Sequence, residues 1–246
     1  MRKRSGRDLL TPAAIIIAGL MVSSAIVWTS HDPAPIGPVA SVASPPASSA
    51  PAAPQEPAVD VAEVTTDGEP FIGDAKAPAT MAYWFDYQCP FCREEETTVL
   101  PHVIADYVAT GKLRIVFKDF QFLGADSQTA ALIARAVWEA DPSKFAAWHR
   151  AMFDHQDGEN TGWGSKDDVL ALTKTIPGLD EAKVEQLLAK NSPLYQKAID
   201  ASLAEGSSMG VGGTPAFVVG KRFANGAIPY AQFKKLIDAA LLAKNS

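Results

Sequence analysis

After residue 79, segments in which apolar residues have the spacing of a strand are followed by segments in which they have the spacing of a helix. Segments 80–87 (TMAYWFDY) and 112–120 (KLRIVFKDF) are rich in aromatic and β-branched residues, which is typical of buried strands. Four apolar residues recur between them at helical spacing: Val99, Val103, Ile104 and Tyr107. Pro90 suits the first position of this helix and Gly111 its end. The pattern predicts a β-α-β unit.

Residues 126–208 contain several segments with helical periodicity. The predicted helices cover 126–141, 142–156, 165–176, 179–191 and 192–206. Large apolar residues at helical spacing are assigned to the core rather than to a ligand site: Trp138, Phe145, Trp148 and Met152.

The C-terminal part returns to strands. Segment 214–228 (TPAFVVGKRFANGAI) predicts two short strands around Gly220, with a second turn at Asn225-Gly226. Segment 230–245 predicts an amphipathic helix. The order β-α-β, helical block, β-β-α indicates an α/β domain over residues 61–246, with a helical insertion at about 124–209.

The N-terminal 30 residues differ from the rest. A basic head at 1–10 precedes an uncharged run at 11–30, which is long enough to span a bilayer if its flanks are counted. We expect an uncleaved transmembrane anchor, with the basic head in the cytoplasm and the remainder exported. A cleaved secretory signal is the alternative, since Ser41-Val42-Ala43 resembles a cleavage site. Residues 31–60 are rich in Pro, Ala and Ser and predict an extended linker.

Charge and cysteine content exclude several functions. The chain has 22 basic and 28 acidic residues. Residues 1–30 hold 4 of the basic and 1 of the acidic residues, so residues 31–246 hold 18 basic and 27 acidic residues and carry a net charge of −9. The negative charge of residues 31–246 does not favour nucleic-acid binding. Two cysteines cannot form a disulfide scaffold, and a zinc site would need two more ligands. The histidines are scattered along the chain, so no metal site is predicted: His31, His102, His149 and His155.

The only cysteines, Cys89 and Cys92, stand where the first strand meets the first helix. Helical residues three apart share a face about 5–6 Å apart, within reach of a disulfide. Free N–H groups at the helix start favour a Cys89 thiolate, with Arg93 one turn on, so we expect its pKa to lie below 7. We expect Glu94, Glu95 and Glu96 to be largely solvated. A disulfide that closes so short a loop adds little stability, so the pair indicates redox chemistry rather than a structural disulfide.

The element order, the Cys89-Pro90-Phe91-Cys92 motif and the later Thr214-Pro215 together resemble the thioredoxin fold. The large helical insertion resembles the DsbA-like branch found in bacterial cell envelopes. The likeness spans about Glu69 to Asn245. It implies thiol–disulfide exchange by the Cys89–Cys92 disulfide, with no other cofactor.

The resemblance also implies a role for each residue of the motif. Cys89 would be the exposed sulfur that attacks and is attacked, and Cys92 the buried resolving partner. Pro90 and Phe91 would form the active-site loop. Pro215 would be a cis-proline against the disulfide, and Thr214 would offer backbone hydrogen bonds to a bound peptide.

One position departs from the family pattern. A buried acid commonly precedes the first cysteine by six residues, but here that residue is Tyr83. Asp86 is near, but three positions along a strand it should point to the other face. A neutral tyrosine cannot act as a base, since its pKa is about 10. We therefore expect Tyr83 to be a packing residue and water to carry the proton of Cys92.

These observations predict an oxidase that gives its disulfide to reduced or unfolded exported proteins and is recycled by a membrane redox partner. It would be held at the bacterial inner membrane, with its catalytic domain in the periplasm or cell envelope. An isomerase or reductase of the same fold remains an alternative, as does a chaperone-like binding module without turnover. The intact cysteine pair argues against the binding module.

Overall fold

A five-stranded mixed sheet forms the centre of the computed structural model, which describes residues 59–244. The strands are β1 Phe71–Ile72, β2 Ala79–Phe85, β3 Leu113–Asp119, β4 Ala216–Val219 and β5 Arg222–Asn225. Their order is β1-β3-β2-β4-β5, with β2 parallel to β3 and antiparallel to β4. The predicted α/β order is confirmed, and the short edge strand β1 is added to it.

The helix that follows β2 is irregular. It comprises α1 Pro90–Glu94, a π-helical turn Glu95–Val99, α2 Leu100–Val103 and a second π-helical turn Ile104–Val108. Pro101 has no N–H to donate, which interrupts the regular ladder. The carbonyl of Glu96 accepts a hydrogen bond from the Arg150 guanidinium at 3.1 Å. The chain leaves the helix through Gly111, whose φ of +71° suits glycine.

Four helices form the insertion, and a last helix closes the fold. They are α3 Ala125–Ala140, α4 Pro142–His155, α5 Lys166–Thr175 and α6 Glu181–Ser208, followed by α7 Tyr230–Lys244. The sequence predicted two helices where α6 is one, and that prediction is wrong. Pro193 lies inside α6, and the Ser192 hydroxyl donates to the carbonyl of Leu188 beside it. The helix packs against α3 and continues past the proline.

The main core lies between the sheet and the insertion. Phe85 and Phe117 of the sheet make edge or tilted aromatic contacts with α4 side chains, including Phe145 and His149. The predicted core residues Phe145, Trp148 and Met152 are buried, whereas Trp138 is only partly buried. The insertion is therefore packed into the domain core.

A buried ion network joins the segment before β1 to the sheet and the insertion. Lys118 of β3 pairs with Glu69 at 2.8 Å and with Glu205 of α6 at 2.9 Å. Arg135 of α3 pairs with Glu69 and Asp119, each at 2.6 Å. Each of the five charged groups is thus paired with a group of opposite charge, which buried ions require.

The predictions for the N-terminal region cannot be compared with the fold. The anchor at 11–30, the linker as far as 58 and His31 lie outside the described residues. Within 59–244, no helix is both long and apolar enough to cross a membrane.

Candidate active site

The two cysteines lie where β2 gives way to α1. Cys89 is the residue that caps the helix start, and Pro90 occupies the first helical position, as predicted. Both cysteines are free thiols, so the structure represents the reduced state. Cys92 is fully buried, but Cys89 is only 4 % exposed, so the prediction of an exposed attacking sulfur is wrong. The loop that carries Thr214 covers it, while Phe91 is 59 % exposed.

The surroundings of Cys89 stabilise its thiolate. A hydrogen bond from the Cys92 thiol is the largest effect that lowers the pKa of Cys89, to about 6. The Thr214 hydroxyl and the N–H groups of Cys92 and Phe91 lower this pKa further, while burial opposes them. The predicted pKa below 7 agrees with this value. The leading cause is the second thiol, however, with the helix start contributing less.

The predicted substrate-binding pair lies directly beside the cysteines. The Thr214–Pro215 peptide bond is cis, as the resemblance implied. The Cys89 thiol donates to the Thr214 carbonyl, with 3.3 Å between sulfur and oxygen. The Thr214 hydroxyl is buried and makes no hydrogen bond of ordinary geometry within residues 59–244. It nevertheless lowers the pKa of both cysteines.

Cys92 experiences the opposite environment. Burial raises the pKa of Cys92 well above its ordinary value, and the neighbouring Cys89 raises it further. Tyr83 of β2 is fully buried and stacks on Phe217 with ring centroids 4.7 Å apart, which confirms that it packs beneath the active-site turn. After burial itself, the charge of Cys92 is the largest factor that raises the pKa of Tyr83.

The acidic run after the motif is not solvated as predicted. Glu94 is exposed, but Glu95 is 1 % and Glu96 5 % exposed. Residues three and four positions beyond Cys92 share its face of the helix, and that face points into the core. Burial raises the pKa of Glu95 to about 8, and Glu96 and Glu94 add to the increase. The burial of Glu95 and Glu96 could have been predicted from the sequence, because both share the helical face of Cys92 and Cys92 was expected to be buried.

The insertion contributes residues that sequence reasoning missed. Gln156, which follows α4, donates to the carbonyls of Tyr87 at 2.7 Å and Cys89 at 3.1 Å. His149 of α4 is hydrogen-bonded to the Tyr87 hydroxyl at 2.9 Å and to Glu96 at 2.8 Å. Neither residue lies near the cysteines in sequence, so only tertiary structure could find them.

The carboxylate of Asp86 stabilises the active-site turn on the side away from Cys92. It accepts from the N–H groups of Gln88, Phe122 and Leu123 and from the Ser127 hydroxyl, at 2.5–3.1 Å. Burial raises the pKa of Asp86, and these four bonds oppose that rise. The carboxylate is therefore engaged away from Cys92, as its strand position predicted.

No group of three or more His, Cys, Asp or Glu side chains suited to a metal ion occurs in the described part of the chain. The site thus consists of a dithiol with two unlike sulfurs, a cis-proline loop beside one sulfur, and buried acids behind the other. Such a pair can exchange a disulfide by thiolate attack.

Comparisons with known proteins agree with this geometry. The family model described as Thioredoxin matches residues 65–239. Disulfide bond formation protein D of Bacillus subtilis is 26 % identical over 177 residues, which cover 72 % of this chain and 79 % of the relative.

Two solved structures are similar over most of their length. The oxidised BdbD crystal structure from Bacillus subtilis superposes with a TM-score of 0.66 at 24 % identity, over 72 % of this chain and 95 % of that one. The thiol-disulfide exchange protein alpha-DsbA2 from Wolbachia pipientis gives 0.62 at 26 % identity, over 70 % and 86 %. The predicted thioredoxin-like fold with a helical insertion is confirmed.

Proposed function

The chain belongs to the thioredoxin family and is a thiol–disulfide oxidoreductase, and we propose that it acts as an oxidase of exported proteins. The observation that carries the proposal is the difference between the two thiols. The pKa of Cys89 is lowered to about 6, whereas that of Cys92 is raised. A stabilised Cys89 thiolate favours the reduced protein and makes its disulfide a good oxidant.

In the proposed reaction, a substrate thiolate attacks Cys89 of the Cys89–Cys92 disulfide. The bond breaks, and Cys92 leaves with the electron pair and takes up a proton. A second substrate thiolate then attacks the substrate sulfur of the mixed disulfide and releases Cys89 as a thiolate. The substrate loses two electrons and two protons, and the protein becomes the dithiol seen in the structure.

Pro90 and Phe91 would form the surface that meets the substrate, since both are exposed between the buried sulfurs. The Thr214–Pro215 loop would bind the substrate backbone beside Cys89, because its carbonyl already faces that sulfur. We propose reduced exported proteins as substrates and a membrane redox partner that restores the disulfide. The envelope location and the anchor at 11–30 belong to the same proposal.

The reduction potential of the Cys89–Cys92 couple, measured in glutathione buffers, tests the direction of transfer. An oxidase should have a potential less negative than about −180 mV, and a value near about −270 mV would indicate a reductase instead. Oxidation of a reduced two-cysteine peptide by the disulfide form tests turnover. A Cys89→Ser variant with undiminished activity in that assay would contradict the proposed chemistry.

A further inference from the structure

The end of the domain opposite the active site contains a pocket of about 480 Å³, which we call the distal pocket. Ala79 and Thr80, at the start of β2, line this pocket, whereas Cys89 follows the end of the same strand. The seven residues of β2, at about 3.3 Å each, separate the pocket from the cysteines by roughly 20 Å. The distal pocket therefore lies outside the catalytic site.

Basic side chains converge on the distal pocket. Small apolar residues of α7 line part of it: Ala239, Ala240 and Ala243. Three exposed basic residues line it as well: Lys221, Arg222 and Lys244. Asp60 is the one acid among its lining residues in the described part of the chain, and its carboxylate lies 3.8 Å from the Lys221 amine. Neither Arg222 nor Lys244 forms an ion pair with an acid within residues 59–244.

The positive charge of this surface contrasts with the charge of the domain that carries it. Residues 31–246 hold 18 basic and 27 acidic residues, and two of those acids, Asp32 and Glu56, precede residue 59. Residues 59–244 therefore hold 18 basic and 25 acidic residues, a net charge of −7. Cations gathered at one end of an acidic domain create a local positive potential that attracts anions.

The outer face of α7 extends the basic surface beyond the pocket. Lys235, Ala239 and Leu242 recur at helical spacing and share this face. Leu242 is 70 % exposed. Asp238, one residue before Ala239, is paired with Lys234 at 3.1 Å. An exposed leucine among lysines is typical of helices that rest on a lipid surface. We call the distal pocket together with Lys235 and Leu242 the distal surface.

The chain enters the described part of the domain at this same end. The N–H of Val61 donates to the carbonyl of Gly220 at 2.7 Å, and Asp60 and Val61 both line the distal pocket. The segment that precedes residue 59 is therefore joined to the domain beside the distal surface. If residues 11–30 are a membrane anchor, as proposed above, the bilayer is a partner within reach of this end.

We propose that the distal surface binds the headgroups of anionic phospholipids. Lys221, Arg222 and Lys244 pair with lipid phosphates, and Leu242 enters the interface between headgroups and acyl chains. Each basic residue near an anionic bilayer strengthens binding on the order of fivefold. Because the rest of the domain is acidic and is repelled by such a bilayer, this end faces the lipid. The cysteines then face away from it, towards exported substrates.

Acetylation of lysines by a reagent that does not cross bilayers tests the proposal. The full-length chain is mixed with vesicles of phosphatidylcholine alone, or of phosphatidylcholine and phosphatidylglycerol, and treated with limiting reagent. Mass spectrometry then compares the acetylation of the distal lysines 221, 235 and 244 with that of Lys166 and Lys174, which are exposed on α5. This ratio is taken within one molecule, so it does not depend on whether the N-terminal segment also inserts.

Phosphatidylglycerol should slow acetylation of the distal lysines about fivefold or more relative to the α5 lysines. Salt at about 1 M should remove this protection, because it shortens the Debye length to about 3 Å. In the native chain with phosphatidylcholine alone, the distal and α5 lysines should react at similar rates.

A pair of charge-matched double variants separates this surface from net charge. Arg222→Gln with Lys244→Gln should weaken the attraction on the order of 25-fold and remove the protection of Lys221. Lys190→Gln with Lys197→Gln removes the same charge from exposed positions of α6 and should leave Lys221 protected. Both variants should oxidise a two-cysteine peptide at the native rate, which shows that each is folded.

Equal acetylation ratios in the two kinds of vesicle would overturn the proposal, and so would loss of protection in the α6 variant. Protection of Lys221 by glycerol phosphate without vesicles would assign the pocket to a soluble phosphate compound and overturn the assignment to lipid. Acetylation does not report on the cysteines. A failure of the proposed oxidase function would therefore appear in peptide oxidation alone, and the two failures remain distinguishable.

Discussion

The two thiols of the motif are three residues apart, yet their surroundings drive them in opposite directions. Around Cys89, hydrogen-bond donors converge on the sulfur: the Cys92 thiol, the Thr214 hydroxyl and the N–H groups at the helix start. Around Cys92, burial dominates and the neighbouring Cys89 raises the pKa of Cys92 further. Hydrogen bonds can therefore outweigh burial at one sulfur while burial prevails one helical turn away.

Replacement of either sulfur should separate the two roles most strongly. We expect Cys89→Ser to reduce peptide oxidation to the uncatalysed background, because the stabilised thiolate is lost. Cys92→Ser should instead accumulate mixed disulfides at Cys89, because nothing resolves them. Mass spectrometry of the trapped adducts checks the assignment, and substrate attached to residue 92 alone would reverse it.

The Cys89 side can be weakened from the insertion. Gln156→Leu removes the donor to the Tyr87 and Cys89 carbonyls. We expect it to lower the free energy of unfolding by about 1–3 kcal/mol, the cost of leaving buried polar groups unsatisfied. Urea unfolding of the reduced protein measures this. Gln232→Leu, on the exposed face of α7, is the control and should change stability little. Equal losses in both variants would count against the anchoring role of Gln156.

On the side of Cys92, the buried Glu95 should make the free energy of unfolding depend on pH. The pKa of Glu95 is raised from 4.5 to about 8 by burial, so this group favours the native state below about pH 4.5. Its contribution is lost as pH rises towards 8, because the unfolded glutamate ionises first. Relative to the native chain, Glu95→Gln should gain on the order of 1–3 kcal/mol between pH 5 and pH 8.5. Denaturant titrations at both pH values test the sign, and Glu94→Gln should show no such gain.

The smallest expected effect concerns the hydrogen bond between the two thiols. The Cys92 thiol is the largest factor that lowers the pKa of Cys89. Cys92→Ala should therefore raise the pKa of Cys89 by about one unit, or about 1.4 kcal/mol. A titration of thiolate absorbance measures the midpoint. An unchanged midpoint near 6 would show that the helix start and Thr214 suffice.

Local pattern predicted those features that depend on local structure. The strands, the position of Pro90 at the start of α1 and the Cys89–Cys92 pair all follow from residues close in sequence. The cis bond at Pro215 followed from resemblance alone. The predictions from local pattern were confirmed because propensity and tertiary contacts agree.

The predictions that failed depended on what covers a residue. Glu95 was expected in solvent because charged residues usually are, but the face of α1 it shares with Cys92 points inward. The exposure of Cys89 was overestimated because the Thr214 loop lies more than a hundred residues away in sequence. Gln156 and His149 joined the site through the packing of α4, which no local pattern reveals.

The packing of α4 also bears on how the domain unfolds. His149 joins Tyr87 to Glu96, and Phe145 and Phe153 face the aromatic residues of the sheet. Removal of the insertion would leave Glu96 without its buried partner and uncover Phe85 and Phe117. The helical block and the sheet should consequently form a single cooperative unit, with matching hydrogen-exchange protection for the amides of α4 and β2. The insertion is thus not a module that could be excised to leave a minimal working enzyme.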